Sequence, residues 1–366
     1  MAHEERRAAP ATHIARIAFI LSLSALIVPG VLPAGFAAGA EAADAELVGS
    51  LDPGRMTETI STLQGFGSRE FHLESARQAA EFLHDSFEGM GIDVEHQYFM
   101  VDDTQVSNVV ATIPGTEDGA GRYLFGAHYD SENSGAHDLS TAENLSAPGA
   151  DDDASGVAAV LEMARVLKGA GLPWTVVFVM FGAEEYGYDN SGGCKGSEYF
   201  VEAEVALGHN YSGTAVLDMV GYRAGGENRA VLVVDGEGDA LAESTVDAVD
   251  TFGIQLSLEL LVRPMITFSD HASFWAHGIP SMLVIEELDE DYFPVNPAYH
   301  TGLDTIDILA MDQVEAVAEA LLGGLLTLDD GDDRALLVFG TVIMSALIVS
   351  VALFVHFRRR RGGLAR

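Results

Sequence analysis

A chain of 366 residues with 56 acidic and 19 basic side chains has a formal charge of −37, which excludes a nucleic-acid binder working through basic patches. Its single cysteine, Cys194, excludes an intrachain disulfide scaffold, while an apolar fraction of 48% is enough for one large domain to bury its own core.

At the amino end, Arg6, Arg7 and Arg16 precede an apolar stretch from Ile17 to Val28, which Pro29 and Pro33 interrupt before the small residues Gly35 to Ala43. A stretch of twelve residues is too short to span a bilayer. The charged start, short apolar region and Ala38-Gly39-Ala40 predict a signal peptide over residues 1–40, cleaved after Ala40, with a retained N-terminal membrane segment as the alternative. Either reading puts the following domain, residues 46–333, outside the cytoplasm.

Within that domain, Phe71 to Met90 places Ala76, Ala79, Ala80, Leu83 and Phe87 at helical spacing. Strands are predicted at Val94–Val101, Asn108–Ile113 and Tyr123–Ala127. A helix over Ser155–Leu167 follows, then strands at Thr175–Phe181, Thr214–Leu217 and Ala230–Val234, a helix over Asp239–Phe252, a strand at Ser281–Ile285 and a closing helix over Asp312–Leu326. Apolar strands without alternation, separated by helices, indicate an α/β single domain: a mostly parallel mixed β-sheet covered by helices on both faces.

Residues 335–355 form a 21-residue run without a charge, the length of a transmembrane helix. Arg358 to Arg361 follow it in the tail 356–366, and a positive cluster past a span marks the cytoplasmic side. The expected location is therefore the cell membrane, anchored by this C-terminal helix with the domain on the extracellular face. Eight of the nineteen basic residues lie at the two ends, which leaves eleven against 54 acids between residues 17 and 357. Self-repulsion on that scale is relieved when molar salt shortens the Debye length to about 3 Å, so the composition reads as halophilic. An acidic face for a cationic partner is the alternative.

In a doubly covered sheet, ligands bind beyond the carboxyl ends of the strands. His128 and Asp130 follow the Tyr123–Ala127 strand, Asp151-Asp152-Asp153 precedes a helix, Glu184 and Glu185 follow Thr175–Phe181, Asp218 follows Leu217, and His300 lies between Tyr299 and Thr301. Any one has a plain explanation; Asp153, for instance, suits a helix cap. Together they would bury several carboxylates side by side, which is costly unless cations neutralise them. Two imidazoles with three or more carboxylates suit zinc, with cobalt or manganese possible.

Read in order, Gly126-Ala127-His128-Tyr129-Asp130, the stretch Ala147 to Gly156, Glu184-Glu185, Leu217-Asp218-Met219 and His300-Thr301 resemble the two-zinc aminopeptidase family, which includes secreted bacterial leucyl aminopeptidases, glutamate carboxypeptidases and glutaminyl cyclases. The resemblance covers roughly Met56 to Leu326, including Phe66-Gly67-Ser68-Arg69. It implies two Zn²⁺ ions, bridged by Asp152, with His128 and Asp218 completing one site and Glu185 with His300 the other. It further implies Glu184 as the general base, Asp130 as the acid orienting His128, a similar role for Asp304 toward His300, and Tyr299 as a donor to the developing oxyanion. Ser269 to Trp275 resembles the family's late helix near the site.

The expected activity is removal of N-terminal residues from peptide substrates by a membrane-anchored aminopeptidase. A carboxypeptidase or glutaminyl cyclase on the same scaffold, and a non-catalytic receptor-like ectodomain, are the alternatives. The loops Ser131 to Ala150 and Tyr186 to Lys195 leave the same end, either as pocket walls or as plain connectors. Cys194, with no histidine partner in a recognised motif, reads as a bystander.

Overall fold

The computed structural model describes residues 42–132, 148–186, 193–236 and 238–328. The expected membrane span 335–355, residues 1–40 and most of the loop after Ser131 lie outside the described residues. Among the described residues, no helix is long and apolar enough to cross a membrane.

One compact unit spans Asp44–Leu328. Helix α1 (Pro53–Gly65) starts where the Asp52 carboxylate accepts the Gly54 N–H at 2.8 Å and Pro53 supplies a helical φ. Helix α2 (Glu74–Met90) buries the apolar stripe predicted for it and ends at Gly91, whose φ of 68° suits a residue without a Cβ. The strands β1 (Asp93–Val101), β2 (Thr104–Ile113) and β3 (Arg122–His128) follow, then α3 (Ala154–Leu167), β4 (Thr175–Phe181), α4 (Lys195–Leu207), β5 (Gly213–Leu217) and β6 (Arg229–Val234). The chain continues through α5 (Ala240–Phe252), β7 (Ser257–Val262), α6 (His271–Trp275), β8 (Ser281–Ile285), a 3-10 turn (Ile306–Ile308) and α7 (Met311–Thr327).

The eight strands form one mixed sheet in the order β1-β2-β4-β3-β5-β8-β6-β7. Pairings β4-β3, β3-β5, β5-β8 and β6-β7 are parallel, and β1-β2, β2-β4 and β8-β6 antiparallel. Parallel pairs thus prevail in the centre, and antiparallel pairs bring in the flanks. Side chains on β4 divide between two layers: Val176, Phe178 and Met180 join the large core under α1, α2, α3, α5 and α7, whereas Val177, Val179 and Phe181 meet Phe200 of α4 and Phe274 of α6. Both faces of β4 are therefore apolar, which explains why its sequence does not alternate.

Besides the 3-10 turn, three elements were not among those predicted. These are α1, α4 and β7. β7 is an edge strand whose residues are half-buried or exposed, and Glu259 interrupts its short apolar stretch. Helices α5 and α7 approach closely through Gly323 and Gly324; a Cβ on Gly324 would stand 2.7 Å from Thr245 Cα. Gly324→Ala is expected to lower stability by about 1–3 kcal/mol through overpacking, read as an earlier thermal midpoint with an unchanged far-ultraviolet spectrum.

Candidate active site

Because β4, β3, β5 and β8 are successive parallel neighbours, their carboxyl ends open onto one edge of the sheet. β3 delivers His128, the turn after β4 delivers Glu184 and Glu185, β5 is followed by Asp218, and the turn before α3 delivers Asp152. His300 arrives from the segment after β8. These six residues line an open cleft of about 1140 Å³, with Tyr299 beside them.

Asp152 sits at the middle. Its Oδ1 is 3.1 Å from His128 Nε2, and its Oδ2 is 3.2 Å from His300 Nε2. His128 Nε2 is also 3.6 Å from Asp218 Oδ1, and His300 Nε2 is 3.1 Å from Glu185 Oε2. Asp152 thus stands between His128, which is also near Asp218, and His300, which is also near Glu185. His128, Asp152 and Asp218 offer ligand atoms within 4.8 Å of one another, and so do His128, Glu184 and Glu185. Glu132, from the loop read as a wall or connector, joins Glu185 and His300 in a third close set. No spacing in the sequence singles Glu132 out.

The backbone is held in costly conformations where it delivers these groups. Ala183 before Glu184, Met219 after Asp218, and His300 itself have φ of 58°, 58° and 53°. Left-handed residues other than glycine each cost on the order of 1 kcal/mol or more and persist where the surroundings dictate them.

Three supporting residues make contacts that the sequence did not indicate. Asp130 Oδ1 lies 3.6 Å from His128 Nδ1, beside the ring it was expected to orient, and its two oxygens also accept the Glu184 and Glu185 N–H groups at 3.1 and 3.2 Å. Its hydrogen bonds therefore hold the acidic turn, while His128 Nδ1 lies close by without one. Asp304, expected to orient His300, uses its two oxygens to accept the N–H groups of Asp151 and Asp152 at 2.8 and 3.1 Å. Cys194, read as a bystander, packs against the acidic turn: its thiol donates to Glu184 Oε1 at 3.3 Å, and its N–H donates to the Glu184 carbonyl at 2.8 Å.

Asp153 caps α3 as read, through Gly156 N–H at 3.0 Å, and its carboxylate also accepts from His128 and Met219 N–H groups at 3.2 Å each. Behind the turn, Asp151 accepts from Gly221 N–H at 2.8 Å and Asn296 Nδ2 at 2.6 Å. Buried Glu286 accepts from Tyr222 N–H at 2.8 Å. Glu286 immediately follows β8, so inspection of every strand end would have found it.

The charges are unbalanced. Burial and then the Asp152 charge push Glu185 up to about 8, against the opposing effect of His300. Burial raises Glu184 well above the carboxylate range. Burial would raise Asp152 too, but hydrogen bonds from His128 and His300 outweigh it and hold this group below its ordinary range. Burial likewise disfavours charge on His300, yet Glu185 and Asp152 carry it up to about 11. The neighbouring carboxylates thus favour the charged form of both imidazoles. Glu185 Oε1 is buried without a hydrogen-bond partner.

Divalent cations fit this donor set. Nitrogen and oxygen ligands about 2.0–2.2 Å from a tetrahedral zinc stand about 3.3–3.6 Å apart, and the four separations above run from 3.1 to 3.6 Å. Imidazole with carboxylate suits zinc better than calcium or magnesium.

Known proteins resemble the chain in sequence and in fold. The chain is 29% identical over 294 residues to "Leucine aminopeptidase 1" of Sclerotinia sclerotiorum, covering 76% of this chain and 71% of that protein. Its fold resembles the LapA aminopeptidase of Legionella pneumophila (TM-score 0.65, 20% identity, 80% of this chain and 75% of that one). It also resembles BSAP, a zinc aminopeptidase from Bacillus subtilis (TM-score 0.63, 18% identity, 75% and 95%). Residues 108–324, from β2 into α7 and including His128, Asp152, Glu184, Glu185, Asp218 and His300, match the model of one family. By that match and by the donor set at its strand ends, the chain belongs to peptidase family M28.

Proposed function

We propose that the protein is a zinc aminopeptidase that removes N-terminal residues from peptides, using two ions held by His128, Asp152 and Asp218 on one side and by Asp152, Glu185 and His300 on the other. The observation that carries the aminopeptidase reading is the sign of the cleft. Besides the donor residues it is lined by Glu198, Glu202 and Asp291, and no Lys or Arg lines it among the described residues. The loop segments 133–147 and 187–192, outside the described residues, contain no Lys or Arg either. A carboxypeptidase needs a cation for the free carboxylate of its substrate, whereas a protonated amine is welcome here. Met219, Ile266, Phe268, Ile285, Tyr292 and Phe293 offer an apolar wall for the N-terminal side chain.

When bound, the ions would supply Lewis acidity for water activation and carbonyl polarisation. Glu184 takes the proton of the attacking water and delivers it to the leaving amine, which requires its carboxylate to face the cleft, as its place in the lining supports. The Tyr299 phenol, raised above its ordinary range first by burial and then by the Asp152 charge, stays protonated and can donate to the oxyanion. Its ring stacks on His300 with centroids 3.8 Å apart. The C-terminal apolar run and its arginines support tethering at a cell membrane with this domain outside, and the acidic excess supports function in high salt.

The test is hydrolysis of paired peptides with free and acetylated amino ends by the full-length protein in molar salt. Cleavage of the free peptides alone, abolished by chelation and restored by zinc, is expected. Cleavage of acetylated peptides from the carboxyl end, or cyclisation of N-terminal glutamine, would replace the reading with carboxypeptidase or glutaminyl cyclase activity. A metal-loaded protein inert toward all three would leave a receptor-like ectodomain.

A further inference from the structure

Arg69 is the largest fully buried charged side chain near the cleft and is 0% exposed. Its Nε donates to the Tyr129 carbonyl at 2.7 Å, its Nη1 to Pro148 at 2.6 Å and Leu63 at 3.2 Å, and its Nη2 to Gly149 at 2.9 Å. All four acceptors are main-chain carbonyls rather than carboxylates. Tyr129 lies between His128 and Asp130, whereas Pro148 and Gly149 open the turn that runs directly into Asp151-Asp152-Asp153. Leu63 anchors the arrangement to α1. A single planar guanidinium therefore ties the loop bearing one imidazole donor to the turn bearing the shared carboxylate.

We infer that Arg69 is a positioning residue for the metal donors: it fixes the spacing between His128 and Asp152 before any ion arrives, and so sets the affinity of the centre. This inference rests on the two-zinc reading. Further contacts support it. Arg69 N–H donates to Ser131 Oγ at 3.0 Å, which seats the arginine against the strand end carrying His128. Gly149 has a φ of 51°, and a Cβ there would press on the Asp152 carbonyl and stand 2.8 Å from Arg69 Nη2, so the turn is packed directly on the guanidinium. The arginine remains charged: burial pulls it down to about 10, and the nearby Asp304, Asp130, Asp152 and Asp153 oppose that loss. Its positive charge lets the carboxylates lie close together in the metal-free protein, while its hydrogen bonds to carbonyls leave their oxygens to other partners.

Lysine keeps the charge but cannot reach four carbonyls in a planar fork. The test compares wild-type, Arg69→Lys and Arg69→Gln full-length proteins, stripped of metal, by zinc competition with a chromophoric chelator and by the cobalt(II) d–d spectrum at saturation. Arg69→Lys is expected to weaken zinc binding at least about tenfold and to alter the cobalt spectrum, with Arg69→Gln further impaired. For a variant that folds only with zinc, the rate at which chelator withdraws the metal is expected to rise by a similar factor. A role confined to packing would lower the thermal midpoint without changing the spectrum. Zinc affinity within twofold of wild type, an unchanged cobalt spectrum, or an unchanged withdrawal rate would overturn the inference while leaving the metal reading intact. A wild-type protein that binds no zinc would overturn both.

Discussion

Glu184→Gln is expected to lower kcat by about 10²–10⁴-fold with metal content unchanged, the range typical of a lost general base. Glutamine matches glutamate in size and retains an oxygen that can accept from Cys194, but its amide cannot take the proton of the attacking water. Glu184 is not among the donors joined through Asp152, so the ions should stay. The checking measurements are steady-state kinetics on a free-amine peptide and metal content by elemental analysis. Full turnover in the variant would remove Glu184 from the role. Loss of turnover accompanied by loss of metal would instead make Glu184 a ligand, an outcome open to test because its carboxylate also lies in a close set with His128 and Glu185.

Asp152→Asn is expected to abolish measurable activity by a different route. Both imidazoles face the Asp152 carboxylate, one at each oxygen. An asparagine would keep one acceptor and turn an NH₂ donor toward the other histidine, removing the negative charge common to both groups. Zinc affinity should fall more than about 100-fold at both positions, exceeding the 10–100-fold typical of residues that only support a ligand. Asp218→Asn, on one side only, should weaken one ion preferentially. Equal losses from Asp152→Asn and Asp218→Asn would contradict the shared position of Asp152. Metal titration of the stripped proteins separates these cases.

What could be read before the fold was known follows from where each signal lies. β4 and α3 were legible because they are mostly apolar and almost wholly buried: of the fourteen residues in α3, only Arg165 is not buried. Donor residues were legible because they break such apolar runs at strand ends, and the structure gathers His128, Asp152, Glu185, Asp218 and His300 around one carboxylate. The edge strand β7 carries no such contrast. The roles of Asp130, Asp304 and Arg69 were hidden for another reason. Each works through main-chain N–H or C=O groups, and any residue supplies those, so no pattern of side chains announces the partner. Glu132 and Cys194 lie beside Glu185 and Glu184 respectively without any spacing in the sequence that marks them.

Cys194, the one thiol in the chain, lies half-buried in the cleft wall against Glu184. Burial and then the adjacent Glu184 charge raise the thiol well above its ordinary range, so it is neutral at physiological pH and slow toward alkylating reagents. A mercurial probe, which does not depend on a preformed thiolate to the same degree, would therefore label each molecule once, beside the reacting groups. Peptide in the cleft should slow that labelling, which makes the thiol an optical reporter of occupancy. It would work equally in Glu184→Gln, where bound substrate can be followed without being consumed.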